Sequence, residues 1–258
     1  MRAFLLVLLL ALPARAETEV DLELVLAIDI SRSMSPTDLA IQRRGYAEAL
    51  QSAEVLAAIR GGFLGRIAVT YVEWSGADRQ RVLADWTLVG SEADAATLAA
   101  RIAAETGGSL RRTSISEGLL FAAARFRTSP FTSPRQVIDI SGDGPNNEGP
   151  PVTVARDIVL ARGITINGLP LMSGLVADPL WHIDNLDRYY RDCVTGGPGA
   201  FVLPVRGWSA FPTAVRRKLV LEISGLAAAG LRPAQAAAPA VADCLVGERV
   251  NERRRSPP

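Results

Sequence analysis

The chain has 258 residues, of which 48% are hydrophobic and 21% are charged, enough for a single α/β domain with a large core. Its 28 basic and 27 acidic residues nearly cancel. Phosphate binding needs a concentrated basic face, which this balance does not supply, so we expect no nucleic-acid partner.

The first 16 residues have the features of a secretory signal peptide. A basic start is followed by an apolar run from Ala3 to Leu12 and by Ala14-Arg15-Ala16, a small-residue cleavage site. A membrane-spanning helix needs about 20 apolar residues, roughly twice the length of this run. We therefore expect cleavage after Ala16 and a periplasmic or secreted protein without a membrane span. Cleavage removes two arginines and no acid, which lowers the 28 basic residues to 26 against 27 acidic ones.

Strand-like and helix-like segments alternate along the rest of the chain. Strands are predicted at 22–28, 66–74, 81–89, 135–141, 164–171 and 200–205, and helices at 36–59, 92–104, 113–127, 152–162, 178–193 and 208–223. This alternation predicts a doubly wound, mainly parallel sheet with helices on both faces and one edge hairpin. The domain is expected to span 20–223. The Ala/Pro-rich residues 224–258 are expected to form a flexible tail.

Polar side chains follow the apolar strands at three places. Asp29, Ser31 and Ser33 end the first strand, the Gly-rich loop 107–113 ends in Thr113, and Asp143 ends a second central strand. Ligands of open α/β sheets gather at the carboxyl ends of the strands. Carboxylates and hydroxyls are the hard oxygen ligands that Mg²⁺, Mn²⁺ and Ca²⁺ prefer.

Simpler interpretations exist for parts of this pattern. Ser35, followed by a proline and by Asp38, is typical of a helix N-cap, and Thr113 could equally be a cap residue. Asp139 lies on the same strand face as Asp143 and could take its place. We take Asp143 as the second carboxylate because it stands at the end of the strand.

The order and spacing of the three motifs resemble the von Willebrand factor A domain family over residues 20 to 223. In that family a metal-ion-dependent adhesion site combines Asp-x-Ser-x-Ser, a Thr and an Asp from three loops. The residue patterns at 141–147 and 196–201 resemble those of an exported bacterial branch of this family, which has no assigned function. The resemblance implies a divalent cation, Mg²⁺ before Mn²⁺ or Ca²⁺, held by Asp29, Ser31, Ser33, Thr113 and Asp143.

The resemblance also implies a protein that binds and does not catalyse. An ion ligated by hydroxyls, with the carboxylates acting partly through water, stays electrophilic and favours an acidic side chain from another protein. One position departs from the family pattern, which commonly has Thr or Ser directly before the Asp-Gly. Here Gly142 stands between Ser141 and Asp143.

Two other functions stay open at this level. A metal-assisted phosphohydrolase could use Asp29 as its nucleophile. Haloacid-dehalogenase enzymes, however, carry a second Asp two residues later, where this chain has Ser31. The sole histidine, His182, is expected to be a packing or surface residue. The third possibility is a structural domain with an empty ion site.

The two cysteines, Cys193 and Cys244, are the only candidates for a disulfide. In an oxidising compartment a lone pair often forms one bond, although two independent buried thiols are the alternative. The chain has neither Cys-x-x-Cys nor Cys/His spacing, which argues against a zinc site of the cysteine–histidine type.

Overall fold

The structure is a computed structural model that describes residues 17–172, 183–225 and 242–255. The predicted signal peptide at 1–16, the first part of the helix predicted at 178–193, His182 and residues 226–241 of the predicted tail lie outside the described residues. No helix within the described part of the chain is long and apolar enough to cross a membrane.

In chain order the described strands are β1 (Thr18–Glu19), β2 (Glu23–Asp29), β3 (Ile67–Trp74), β4 (Gln80–Val89), β5 (Phe131–Thr132), β6 (Gln136–Gly142) and β7 (Thr165–Pro170). Five of them form the central sheet, in the order β4-β3-β2-β6-β7. All pairings in this sheet are parallel except β3 with β4, which confirms the predicted edge hairpin. Strands β1 and β5 form a separate parallel pair, which was not predicted.

Helices cover both faces of this sheet and so confirm the doubly wound fold. They are α1 (Pro36–Leu50), α2 (Ala53–Arg60), α3 (Glu92–Ala103), α4 (Ile115–Arg125), α5 (Val152–Leu160), α6 (Leu186–Tyr189, continued by a π-helical turn over Tyr190–Val194), α7 (Phe211–Ser224) and α8 (Val246–Arg255). Helices α1, α2, α3 and α7 pack into one apolar core, and α4, α5 and α6 pack into the other.

The central strand β2 explains the unbroken apolar run near the start of the chain. All seven of its residues are buried. Leu24, Leu26 and Ile28 enter the core under α1 and α7, whereas Val25 and Ala27 enter the core under α4. A strand covered on both faces gains from apolar side chains at every position, so it has no polar alternation.

Two predicted elements differ from the structure. The helix predicted over 36–59 is two helices. The first ends at Leu50, and the second begins after Ser52, whose hydroxyl accepts a hydrogen bond from the Val55 amide. The strand predicted over 200–205 is an irregular segment. It follows the outer edge of β7 through bonds such as Leu203 N to Gly168 O at 2.9 Å.

Residues 242–255 are more ordered than their composition predicts. Residues 242–255, part of the predicted flexible tail, form a turn and helix α8. A disulfide between Cys193 and Cys244 joins this segment to the π-helical turn after α6. The predicted pairing of the two cysteines is therefore present in the structure.

Candidate metal site

Asp29 is the last residue of β2 and is fully buried. One carboxylate oxygen, Oδ1, accepts a hydrogen bond of 2.6 Å from the Ser31 amide. The side chain of Gln42 donates to the Asp29 carbonyl at 3.0 Å and holds the backbone in place. The other carboxylate oxygen, Oδ2, is buried and has no hydrogen-bond partner among the described residues. The carboxylate is thus oriented by its own loop, with one oxygen available for a ligand.

Two serine hydroxyls link the loop after β2 to the loop after β6. The hydroxyl oxygens of Ser31 and Ser33 lie 3.0 Å apart. Ser33 donates onward to Oδ1 of Asp143 at 2.7 Å. Since β2 and β6 are neighbours in the sheet, their carboxyl ends bring these side chains together, as the sequence predicted.

The loop that carries Thr113 lies beside the first two. Leu110 donates its amide to the Ile30 carbonyl at 2.8 Å and forms a parallel bridge with Ser31. The hydroxyl that caps α4 belongs to Ser114 and accepts from the Glu117 amide at 3.3 Å. Thr113 is therefore not the cap residue that the alternative interpretation required.

Asp139 lies away from this cluster, in the core beneath α7. Its Oδ1 atom is 2.7 Å from Nζ of Lys218, which also pairs with Glu222. All three side chains are buried. The structure thus places Asp143 beside Ser33 and assigns Asp139 to a buried ion-pair network.

The two carboxylates of the cluster lie in an environment that disfavours their charges. Burial, and then the negative charge of Asp143, raise the pKa of Asp29 well above its usual value. Burial also raises the pKa of Asp143 to about 6, although the hydrogen bond from Ser33 opposes the shift. No ion pair joins either carboxylate to a Lys or Arg among the described residues.

These observations fit a hard divalent cation. Two carboxylates without a cationic partner, adjacent hydroxyls and the unpartnered Oδ2 atom of Asp29 supply oxygen ligands and negative charge. The described residues contain no group of three or more His, Cys, Asp or Glu side chains placed to hold a metal. A site here must therefore depend on hydroxyls as well as carboxylates.

The hydroxyl of Tyr190 lies close to Gly142, a contact that the sequence did not predict. A Cβ atom at this position would lie 2.6 Å from the hydroxyl of Tyr190 and 3.0 Å from Oδ2 of Asp29. The Tyr190 hydroxyl is buried and without a hydrogen-bond partner in the described structure. The tyrosine thus occupies space that a Thr or Ser side chain at position 142 would need. In the sequence, a Tyr-Tyr pair in an amphipathic segment indicates only that the two side chains pack against the core.

Two asparagines after Asp143 connect the loops and were also missed. Asn147 accepts a hydrogen bond from the Thr113 amide at 3.1 Å through its side chain. Its own amide donates to the Thr113 carbonyl at 2.9 Å. Asn146 accepts from the Ser116 amide at 3.0 Å, at the start of α4. In the sequence these residues showed only as polar positions after a turn.

Several solved structures have the same fold. Proximal thread matrix protein 1 from the mussel byssus, with a zinc-occupied MIDAS motif, is 17% identical with a TM-score of 0.57, covering 81% of this chain and 49% of that chain. The pilus adhesin SpaC from Lactobacillus rhamnosus GG, in its open conformation, is 13% identical, with a TM-score of 0.58. The match covers 79% of this chain and 30% of that chain. A von Willebrand factor type A protein from Catenulispora acidiphila is 15% identical, with a TM-score of 0.50. The match covers 79% of this chain and 43% of that chain.

The likeness establishes a von Willebrand factor A fold, and the chain spans about half or less of each of these structures. The family described as "Protein of unknown function (DUF1194)" matches residues 19–227, and the chain belongs to that family. No curated protein matches the chain. The matched residues include all five predicted ligands, whereas α8 lies outside the match.

Proposed function

We propose that the domain binds a divalent cation, Mg²⁺ by preference, and uses it to capture an acidic side chain of another protein. The observation that carries the proposal is the hydrogen-bonded series Ser31–Ser33–Asp143 beside the unpartnered Oδ2 atom of Asp29. These groups come from separate loops at the carboxyl end of a parallel sheet, and the Thr113 loop lies next to them. Mn²⁺ and Ca²⁺ have compatible ligand preferences.

The proposed roles of the residues follow from their chemistry. Ser31, Ser33 and Thr113 hold the ion through neutral hydroxyls, and Asp29 and Asp143 act directly or through water. Neutral ligands leave the ion with more of its positive charge, which supplies the attraction for a carboxylate from outside. The proposal assigns binding to this site and no catalysis.

Two arginines beside the loops also favour an acidic partner. Arg32 lies between the two serines, and Arg111 directly follows Leu110, which forms a backbone bridge with Ser31. Both side chains are exposed, and neither forms an ion pair with a residue that the structure describes. Positive charge at the rim of a binding site steers acidic partners toward it.

We further propose that the protein works in the periplasm or outside the cell, after cleavage at Ala16. The solved relatives with this fold include a byssus matrix protein and a pilus adhesin. The disulfide between Cys193 and Cys244 is suited to an oxidising compartment.

The function is tested with the purified protein as bait in an envelope extract, once with Mg²⁺ and once with a chelator. We expect a partner that is retained only with Mg²⁺ and that Asp29→Asn fails to retain. This variant keeps the size of the side chain but removes its charge. A partner retained equally by the chelated protein or by Asp29→Asn would show that the cluster is not the recognition site.

A further inference from the structure

Helix α8 contacts the loop that lies between Asp143 and α5. Asn146 donates from Nδ2 to Oε1 of Glu248 at 2.7 Å. Asn251 donates from Nδ2 to the carbonyl of Asn147 at 2.9 Å. The helix therefore bonds to both asparagines of the loop, although it lies beyond the family match at 19–227.

The approach of α8 to this loop depends on a glycine. A Cβ atom on Gly247 would overlap the carbonyl oxygen of Asn146 and would lie 2.9 Å from its carbonyl carbon and 3.2 Å from Cγ of Pro145. Contacts this short with backbone atoms force one of the two segments to move. Only glycine allows the helix to rest on the loop at this point.

The start of this segment is fixed to the domain. Cys244 is bonded to Cys193, and the Ala242 amide donates to Oδ2 of Asp192 at 3.0 Å. Val246 packs against the core that contains α4, α5 and α6. Tyr189, one turn before Cys193, accepts from the Asn146 amide at 3.1 Å. The start of the α8 segment and the loop after Asp143 are thus both bonded to residues 189–193.

The contacts reach Thr113 in one further step. Asn147 exchanges two hydrogen bonds with Thr113, one from each backbone amide. Arg112 has a φ of 76°, in the left-handed region that non-glycine residues rarely adopt. Its guanidinium donates to Oδ1 of Asn251 at 3.1 Å. Asn251 therefore contacts the Thr113 loop through Arg112 as well as through Asn147.

We propose that residues 242–255, here named the C-terminal clamp, hold the Thr113 loop in the conformation that binds the ion. Glu248 and Asn251 are its positioning residues, and the disulfide is its anchor. Residues 105–109 and 111–114, leading to Thr113, have no regular secondary structure. Ordering such a loop before the ion arrives lowers the cost of binding. The inference rests on the proposed function, since it gives the clamp a role at that cation site.

The experiment uses the full mature protein and four variants. Asn251→Ala removes the hydrogen bonds of Asn251 to Arg112 and to Asn147, Gly247→Ala forces the helix away, and a Cys193→Ser/Cys244→Ser double variant removes the anchor. Arg249→Ala is the matched control, because Arg249 lies on the same helix but pairs with Asp243 at 2.7 Å. The first measurement is hydrogen exchange of the Thr113 and Asn147 amides in metal-free protein. The second is Mg²⁺ affinity by calorimetry.

We expect faster exchange of both amides and about three- to tenfold weaker Mg²⁺ binding in the three test variants, with no change in Arg249→Ala. Unchanged exchange in all three would overturn the clamp, and so would faster exchange with unchanged Mg²⁺ affinity. If the unaltered protein binds no divalent cation, the proposed function itself fails. The exchange data then still show whether the clamp orders the loop.

Discussion

The hydroxyl of Ser33 donates a hydrogen bond of 2.7 Å to Asp143, which lies 110 residues further along the chain. The bond is possible because β2 and β6 run side by side, with Ile28 opposite Ser141 near the end of the pairing. Each strand then ends in a loop on the same side of the sheet. The parallel register thus brings together two motifs that are remote in sequence.

Replacing a proposed hydroxyl ligand is expected to weaken ion binding without unfolding the domain. Ser33→Ala and Thr113→Ala each remove a proposed ligand that contributes little apolar burial. Changes near metal ligands cost about 10- to 100-fold in affinity, so we expect at least tenfold weaker Mg²⁺ binding by calorimetry. If either variant loses the fold in metal-free buffer, the residue is structural and not a ligand.

Ser35→Ala is the matched control for these variants. Ser35 lies in the same loop as Ser33, but its hydroxyl accepts from the Asp38 amide and caps α1. Losing such a cap costs about 1 kcal/mol of stability. We therefore expect a lower melting temperature with unchanged Mg²⁺ affinity, the opposite of the result for Ser33→Ala.

A serine at position 142, where von Willebrand factor A domains commonly have Thr or Ser, is expected to destabilise this protein. Gly142→Ser places a Cβ atom 2.6 Å from the Tyr190 hydroxyl, which is closer than ordinary van der Waals contact. Overpacking of this kind costs about 1–3 kcal/mol of the free energy of unfolding, measured by urea titration. Tyr190→Phe removes the contacting oxygen, so the double variant should recover part of the loss. A fully stable Gly142→Ser protein would contradict this steric conflict with Tyr190.

The disulfide is expected to contribute substantially to stability. It closes a loop with a sequence separation of 51 residues between Cys193 and Cys244. Chain-entropy models assign about 4 kcal/mol to a loop of this length, through the restriction of the unfolded chain. Urea unfolding of the oxidised protein and of the Cys193→Ser/Cys244→Ser variant measures the difference. Two thiols titrating in the folded, non-reduced protein would contradict the bond itself.

The buried ion-pair network beneath α7 is expected to make stability depend on pH. Burial, and then the charge of Asp139, raise the pKa of Glu222 from 4.5 to about 7, against the opposing effect of Lys218. Between these two values the folded protein keeps a proton that the unfolded chain has lost. The free energy of unfolding therefore falls as the pH rises from about 4.5 to 7, by about 1–3 kcal/mol.

Glu222→Gln separates this contribution from those of other groups. The amide cannot ionise and can still accept from Nδ2 of Asn167, which donates to Glu222 at 3.0 Å. Urea titrations at pH 5 and pH 7.5 should show a smaller loss of stability in the variant than in the unaltered protein. Equal losses in the two proteins would mean that Glu222 does not carry the pH dependence.

The sequence predicts those features that depend on local pattern. The apolar runs of β2 and β6 predict buried strands, and the polar residues after them predict the cluster of Asp29, Ser33 and Asp143. The order of strands and helices predicts the parallel sheet. Burial on two faces shows in the sequence as an unbroken apolar run. The parallel direction of the strands brings the polar residues after each run to the same edge of the sheet.

Other features depend on contacts between distant segments and carry no local signal. Nothing near Tyr190 in the sequence indicates that its hydroxyl lies beside Gly142. Similarly, the composition of the chain after position 224 predicts a flexible tail, yet Gly247 and Asn251 pack against a loop about 100 residues earlier. In the sequence, Gly247 indicates only a turn. Its close approach to the backbone of Asn146 is visible only in the structure.

The two arginines at the rim are expected to contribute to partner binding but not to ion binding. Arg32 and Arg111 are exposed, and each directly follows a residue of the backbone bridge between Ser31 and Leu110. Charges at the rim of an interface mainly change the association rate and its salt dependence. The charge reversal Arg32→Glu/Arg111→Glu should therefore slow association with the Mg²⁺-dependent partner.

The measurement is surface plasmon resonance with the captured partner at low and moderate salt, beside calorimetry with Mg²⁺ alone. We expect about tenfold slower association at low salt, a smaller difference at higher salt because ions screen exposed charges, and nearly unchanged Mg²⁺ affinity. Arg101→Glu/Arg217→Glu is the charge-matched control, since both residues are exposed and lie on α3 and α7. It changes the net charge equally but leaves the rim intact. Equal slowing by both double variants would assign the effect to overall charge, and the acidic group would then be recognised by the ion alone.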